Sequence, residues 1–334
     1  MITPTRLSYG VLIATIALAG LLHLGVPLLV LLFSYFALRQ LYFLTKRKWL
    51  ALILFGVVVA GITAAAVYFT RTAILALPDV ADTSIPSASA WAQKRQIELP
   101  FTDFESLRQA VVDILSQEAQ YLRNVANFAK SAAAAIVFSI LGIVAAGSLF
   151  YKTGLDPYRG THRLKNNLYS ICCDKVSTRF RDFYRSFATV MGAQITISLI
   201  NTALTGIFLV AVRLPHAPLL IAVTFLCGLV PIVGNLASNT VIVFVALTVS
   251  LKLAIVALVF LILIHKLEYL LNSKIIGDRI RNPVWLTLIA LILGERLMGI
   301  PGLILAPVVL NYLRVEMLTV EVPAPSEKME ALNR

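Results

Sequence analysis

The sequence predicts an all-α, polytopic integral membrane protein of about eight transmembrane helices, including two hairpins broken by glycine and proline that either span or re-enter the bilayer. Three observations carry this. Hydrophobic residues make up 59% of the 334 and charged residues only 14%, and the mean hydropathy of +0.85 is far too apolar for a soluble domain of that size. Apolar windows of about 20 residues, enough to cross about 30 Å of hydrocarbon, recur along the whole chain. Between 228 and 314, apolar runs are twice interrupted by Gly, Pro and Gly, in GLVPIVGN and in GERLMGIPGLILAP. Backbone broken at membrane depth is tolerated only where protein or a water-filled cavity receives it.

The elements follow in order. Residues 1–71 hold two shorter apolar runs, 10–22 and 27–43, joined tightly through His23 to Pro27, and then a span over 50–70. An insert over 72–130 carries five basic and seven acidic residues. It opens as a loop rich in Asp, Ser and Pro from Pro78 to Pro100. Thr102, Asp103, Phe104 and Glu105 resemble a capping box, and the apolar residues from Phe104 to Phe128 recur at three and four, which makes one helical stripe. A fourth span occupies 131–151. Residues 152–186 form a basic amphipathic helix, lying on the cytoplasmic lipid surface or docking as an arm beneath a transport domain. The core over 187–315 begins with a span from 187 to 212. A polar tail follows over 316–334.

Charge sets the orientation. Arg39, Lys46, Arg47 and Lys48 follow the second run, and 152–185 holds eight Lys or Arg against three Asp. The positive-inside rule makes both regions cytoplasmic, together with both termini, and leaves the insert outside. The net charge of +12 is therefore membrane-edge charge, not a nucleic-acid surface. If 219–250 were one span, the basic loop 274–281 would face outward, against that rule. A two-legged hairpin returns it inside and is preferred. Residues 285–313 then make a second hairpin that enters from the opposite face and turns at Gly299-Ile300-Pro301-Gly302, so the two tips approach each other. Cys172, Cys173 and Cys227 are read as apolar fillers rather than a disulfide framework. Arg6 precedes an apolar run without a cleavage site, so no cleaved signal peptide is expected.

Candidate functional residues cluster in the core. No GxxxxGK[ST], HExxH or GxSxG is present, so no enzyme, cofactor or metal site is expected. Gln194, Ser198, Asn201 and Thr205 share one helical face. Such a stripe serves interhelical hydrogen bonding or lines a solute path. The break residues are Gly228, Pro231 and Gly234 in the first hairpin and Gly299, Pro301 and Gly302 in the second. Asn235, Ser238 and Asn239 follow the first break, and carbonyls freed there suit a cation or polar solute. His265 and Glu268 share a face near a helix end. Glu268 either pairs with Lys266, Lys274 or Arg279, or is a proton-carrying or cation-coupling carboxylate. Glu295, beside Arg296 within the last apolar pair, is a second such candidate because charges there are costly; each of the two is expected to need its own partner.

These residues carry a family resemblance. Val230-Pro231-Ile232-Val233-Gly234 is similar to the I-P-x-x-G break of the AI-2E transporter family. Lys274-Ile275-Ile276-Gly277 with Pro283 resembles its P-K-I-x-G segment, and Gly294, Gly299, Gly302 and Pro307 resemble its glycine-rich ending. Asn235 and Ser273 stand where that family often has proline. The resemblance implies a multipass bacterial inner-membrane protein, oligomeric with copies of itself, and a link either to export of autoinducer-2 or to sodium–proton exchange. The expected function is a secondary transporter of a small polar solute or a monovalent cation or proton. The alternatives are a membrane scaffold and a passive channel.

Overall fold

The computed structural model describes residues 4–93, 119–151, 167–231, 233–275 and 283–319. The described residues form α-helices, joined by short turns where the link is described. These are α1 (Pro4–Leu21), α2 (Gly25–Thr45), α3 (Lys48–Gln93), α4 (Ala119–Tyr151) and α5 (Leu168–Ala211), then α6 (Ala217–Gly228), α7 (Val233–Val249), α8 (Leu251–Ile275), α9 (Val284–Met298) and α10 (Ile300–Leu318). Five are long and apolar enough to cross a membrane, within α2, α3, α4, α5 and α10, and shorter apolar helices lie at 7–21, 217–228 and 234–249. Large apolar side chains face outward along most of them, among them Ile62 and Val67 on α3, Ile136 and Val144 on α4, and Val259 and Leu263 on α8. That surface suits lipid and is untenable in water.

The long helix α5 organises the molecule. Its 44 residues extend about 66 Å at 1.5 Å per residue. Asn167 caps it, its side chain accepting from Ser170 N at 2.7 Å. The sequence contains no Gly or Pro from Leu168 to Met191, so nothing interrupts the hydrogen-bond ladder at 186, where a separate surface helix was expected to end. The surface-lying alternative is thereby corrected. Residues 168–186 are the first half of the same helix as the following span, and Phe183 and Phe187 are buried. The helix ends at Arg213, whose φ is +52, with Leu214 N donating to Leu209 O at 3.0 Å.

Two apolar cores sit along α5, one at its middle and one at its C-terminal end. In the first, Phe183, Phe187, Val190 and Met191 pack against Leu12 of α1, Leu29 and Leu32 of α2, and Ile304, Leu305, Val308 and Tyr312 of α10. In the second, Leu209 packs with Leu220 of α6, Ile242, Val245 and Ala246 of α7, and Ala254, Ala257 and Leu261 of α8, with the Phe208 and Phe260 rings stacked at 4.1 Å. The polar stripe of α5 occupies the interval between them. A third core joins Leu38 of α2 to Ala51 and Phe55 of α3 and Ala146 and Phe150 of α4.

The link between α1 and α2 is as short as expected, but the two helices part, α1 packing chiefly against α5 and α2 against α4. A further cluster ties the ends of α1, α5 and α10 together. Tyr9 OH donates to Glu316 Oε1 at 2.6 Å, Arg179 pairs with the same carboxylate, and its guanidinium lies 4.2 Å from the Tyr9 ring centroid. Helix α10 thus continues through Glu316 to Leu318, and the predicted tail from 316 begins inside it. Glu316→Ala leaves a mostly buried guanidinium without its anion. It is expected to destabilise the protein by about 2 kcal/mol, the scale of a hydrogen bond to a charged group, read as a lowered midpoint of unfolding in detergent.

Other expectations are also revised. Helix α3 continues to Gln93 through Pro78 and Pro86, where a loop was expected. Each proline removes one hydrogen bond, and the alanine-rich flanks sustain the rest. Likewise α4 runs unbroken across the expected boundary at 130. The capping box, most of the 104–128 stripe and the loop from 276 to 282 lie outside the described residues.

Candidate functional site

The two hairpins enter from opposite ends of α5. Helices α6 and α7 descend from the turn at 212–217 to a tip that closes over the polar stripe. The tip is held from α5: Gln194 Nε2 donates to Gly228 O at 2.7 Å, and Ser198 Oγ donates to Phe225 O at 2.9 Å. Gly228 is required there by contact, since an added Cβ would lie 2.5 Å from Ser198 Oγ. Gly234 lies against Cys227 O, leaving no room for a side chain. Pro231 lies in the turn between the helices. The carbonyls freed at the end of α6 are thus satisfied by side chains of α5.

One turn further along α5, the stripe meets a carboxylate. Glu268 on α8 is buried, with 8% exposure, and accepts from Asn235 Nδ2 at 2.6 Å. Asn201 also hydrogen-bonds it from α5, while Asn201 Oδ1 and the neighbouring Thr202 Oγ1 are buried without partners. His265 Nδ1 stands 3.8 Å from Glu268 Oε2, with its own side chain 69% exposed. Ser238, fully buried, donates back to Asn235 O at 3.2 Å, which orients the turn carrying Asn235. Thr205 is buried one turn above Asn201.

Four elements therefore converge on one buried polar centre: the α5 stripe, the tip of the α6–α7 hairpin, the start of α7 and the end of α8. The predicted residues Gln194, Ser198, Asn201, Gly228, Gly234, Asn235, Glu268 and His265 meet there. Asn239 is half-buried beside it and does not join it. Glu268 takes Asn235 rather than Lys266, which is exposed. Thr202 was not singled out from the sequence, because it lies off the Gln194–Thr205 face by one residue.

The second candidate carboxylate is elsewhere. Glu295 is exposed on α9, and Arg296 Nε stands 3.9 Å from Glu295 Oε2. The expectation that each needs its own partner is corrected: long flexible side chains on adjacent residues reach one another at the surface. The second hairpin turns at Gly299, with φ +64 and ψ −142, a conformation closed to residues with a Cβ. Beyond it Gly294 and Gly302 bring the backbones of α9 and α10 into contact, each lying against the other's carbonyl oxygen. This tip has its own seat. A side chain at Gly25 would come within 2.9 Å of Pro301 Cβ and 3.1 Å of Met298 Cβ, so the tip docks on the α1–α2 turn. The first hairpin's tip is held by α5 instead, and Val230 of that tip packs against the same core as Met298 of the second.

Among the described residues no group of three His, Cys, Asp or Glu could hold a metal ion. The centre offers neutral oxygens and one carboxylate. That set matches a monovalent cation, a proton or a hydroxylated solute better than a multivalent anion.

The chain is 27% identical over 187 residues to a Bacillus subtilis (strain 168) protein named "Putative transport protein YdbI", a match covering 55% of this chain and 51% of the relative. The alignment thus spans about half the length of that relative. The model of the family described as "AI-2E family transporter" matches residues 7–319. That match takes in every helix but the first three residues of α1, so the chain is a multi-pass membrane protein that belongs to the AI-2E transporter family.

Proposed function

We propose that this protein is a secondary transporter of the bacterial inner membrane. It moves a small polar solute, such as an autoinducer-2-like signal, or a monovalent cation, and Glu268 couples that movement to a proton or cation gradient. The observation that carries the reading is the Asn235–Glu268 hydrogen bond. It joins a carboxylate buried among apolar helices to the first polar side chain after a broken hairpin. Ionisable groups in such places usually mark ion or substrate paths. Protonating Glu268, or placing a cation beside it, changes what it offers the Asn235 amide and so the hold on the hairpin. His265, exposed and close to the carboxylate, is placed to pass the proton. The basic end, with Arg39, Lys46 and Arg181, faces the cytoplasm under the positive-inside rule, which puts both chain ends there. The working unit is an oligomer of identical chains.

The test is flux in proteoliposomes under an imposed pH or sodium gradient, following internal pH together with uptake of a hydroxylated, autoinducer-like solute. Gradient-dependent flux is expected. If no gradient moves solute or ion, the transporter reading fails.

A further inference from the structure

Between α2 and α5, at the basic end of the molecule, lies a cavity of about 640 Å³. Arg39 lines it from α2 and Lys46 from the residue that caps α2, and Arg181 and Arg185 line it from α5. Among the described residues no carboxylate lines it. Asp182 pairs with Arg185 at 3.3 Å from outside the cavity. Two of the others rest on aromatic rings: Lys46 Nζ lies 4.0 Å from the Phe43 ring centroid, and the Arg39 guanidinium 5.9 Å from that of Tyr184. Phe36 and Ala188 supply apolar wall on the side toward the first core. The buried polar centre at Glu268 makes no use of this cavity.

Four cations concentrated over an apolar wall make a site for an anion attached to hydrocarbon. The position matches that chemistry. The cavity sits where the apolar part of α2 gives way to its basic end, the kind of boundary that falls at the headgroup level under the positive-inside rule. Basic pockets between membrane helices on the cytoplasmic side recognise anionic headgroups. A freely soluble phosphate would gain nothing from Phe36 and Phe43. We propose that the cavity between α2 and α5 binds the phosphate headgroup of an anionic phospholipid, with Arg39, Lys46, Arg181 and Arg185 as its ligands and the aromatic wall against the first acyl carbons.

The test is native mass spectrometry of the delipidated full chain in detergent, with phosphatidylglycerol and phosphatidylcholine added in competition. Wild type is expected to retain phosphatidylglycerol preferentially. Each basic ligand contributes about fivefold, so Arg39→Gln with Arg181→Gln should cut the preference by roughly 25-fold. The same two positions changed to Lys should keep most of it, and Arg296→Gln, on α9, should change nothing. Equal retention of the two lipids by wild type overturns the proposal, a result that needs no variant to fold. Displacement of the lipid by millimolar inorganic phosphate also overturns it, and makes the cavity a soluble-phosphate site.

Discussion

Glu268→Gln is expected to lower gradient-driven flux by between about tenfold and a hundredfold, the range set by losing a charged hydrogen bond in a buried site, with the folded yield unchanged. The glutamine keeps the shape of the side chain and an oxygen for the Asn235 amide, so the hairpin stays where it is. It carries no titratable proton and no charge to balance a cation, so a step that depends on either stops. Asn235→Ala separates the latch from the coupling. It removes the 2.6 Å bond but leaves the carboxylate, so flux should fall while remaining dependent on the gradient. Proteoliposome uptake and internal pH, measured on both variants at matched protein density, distinguish the two. Wild-type flux with unaltered gradient dependence in Glu268→Gln would make Glu268 a structural anchor and end the coupling assignment.

Gly302→Ala is expected to be the most damaging small change in the second hairpin. The new methyl group would overlap Gly294 O, well inside van der Waals contact, and that oxygen belongs to the backbone of a packed helix. Relief therefore requires α9 and α10 to move apart. Overpacking that cannot be absorbed by a rotamer costs about 3 kcal/mol, and the displacement propagates to Ile304 and Leu305 in the first core. Gly299→Ala offers a contrast, because nothing lies within 4 Å of the added Cβ there. Its cost is dihedral strain alone, about 1–3 kcal/mol, without separation of the helices. Heating followed by size-exclusion chromatography in detergent measures both. A Gly302→Ala protein as stable as wild type would mean that the two helices do not hold this close contact.

Much of the architecture was legible because it is local. Apolar runs of spanning length, Gly and Pro at both breaks, and the four-three-four spacing of Gln194, Ser198, Asn201 and Thr205 all follow from helix geometry and from the hydrogen bonds that proline forgoes. The same locality misled at two joints. Prolines at 78 and 86 and the charge change near 186 read as boundaries, yet helices α3 and α5 run through them, because a long ladder survives single losses and nothing in 168–191 breaks it. Partner choice was less accessible. In lipid the outward and inward faces of a helix are both apolar, so hydrophobic periodicity does not say which face meets protein. Glu268 and Glu295 look alike in sequence, each a lone carboxylate near the end of an apolar helix, and packing made one buried and the other exposed.

The sequence by itself determined that this chain is a membrane protein of many helices with two glycine-proline breaks, because bilayer thickness and backbone hydrogen bonding act on short stretches of chain. Only the tertiary structure decided that Asn201, Asn235 and Glu268 form one centre, that Tyr9 reaches Glu316 across 307 positions of sequence, and that four cations of α2 and α5 share a cavity. Those pairings depend on how the other helices pack along α5, and long-range packing leaves no periodic trace in the residues that it brings together.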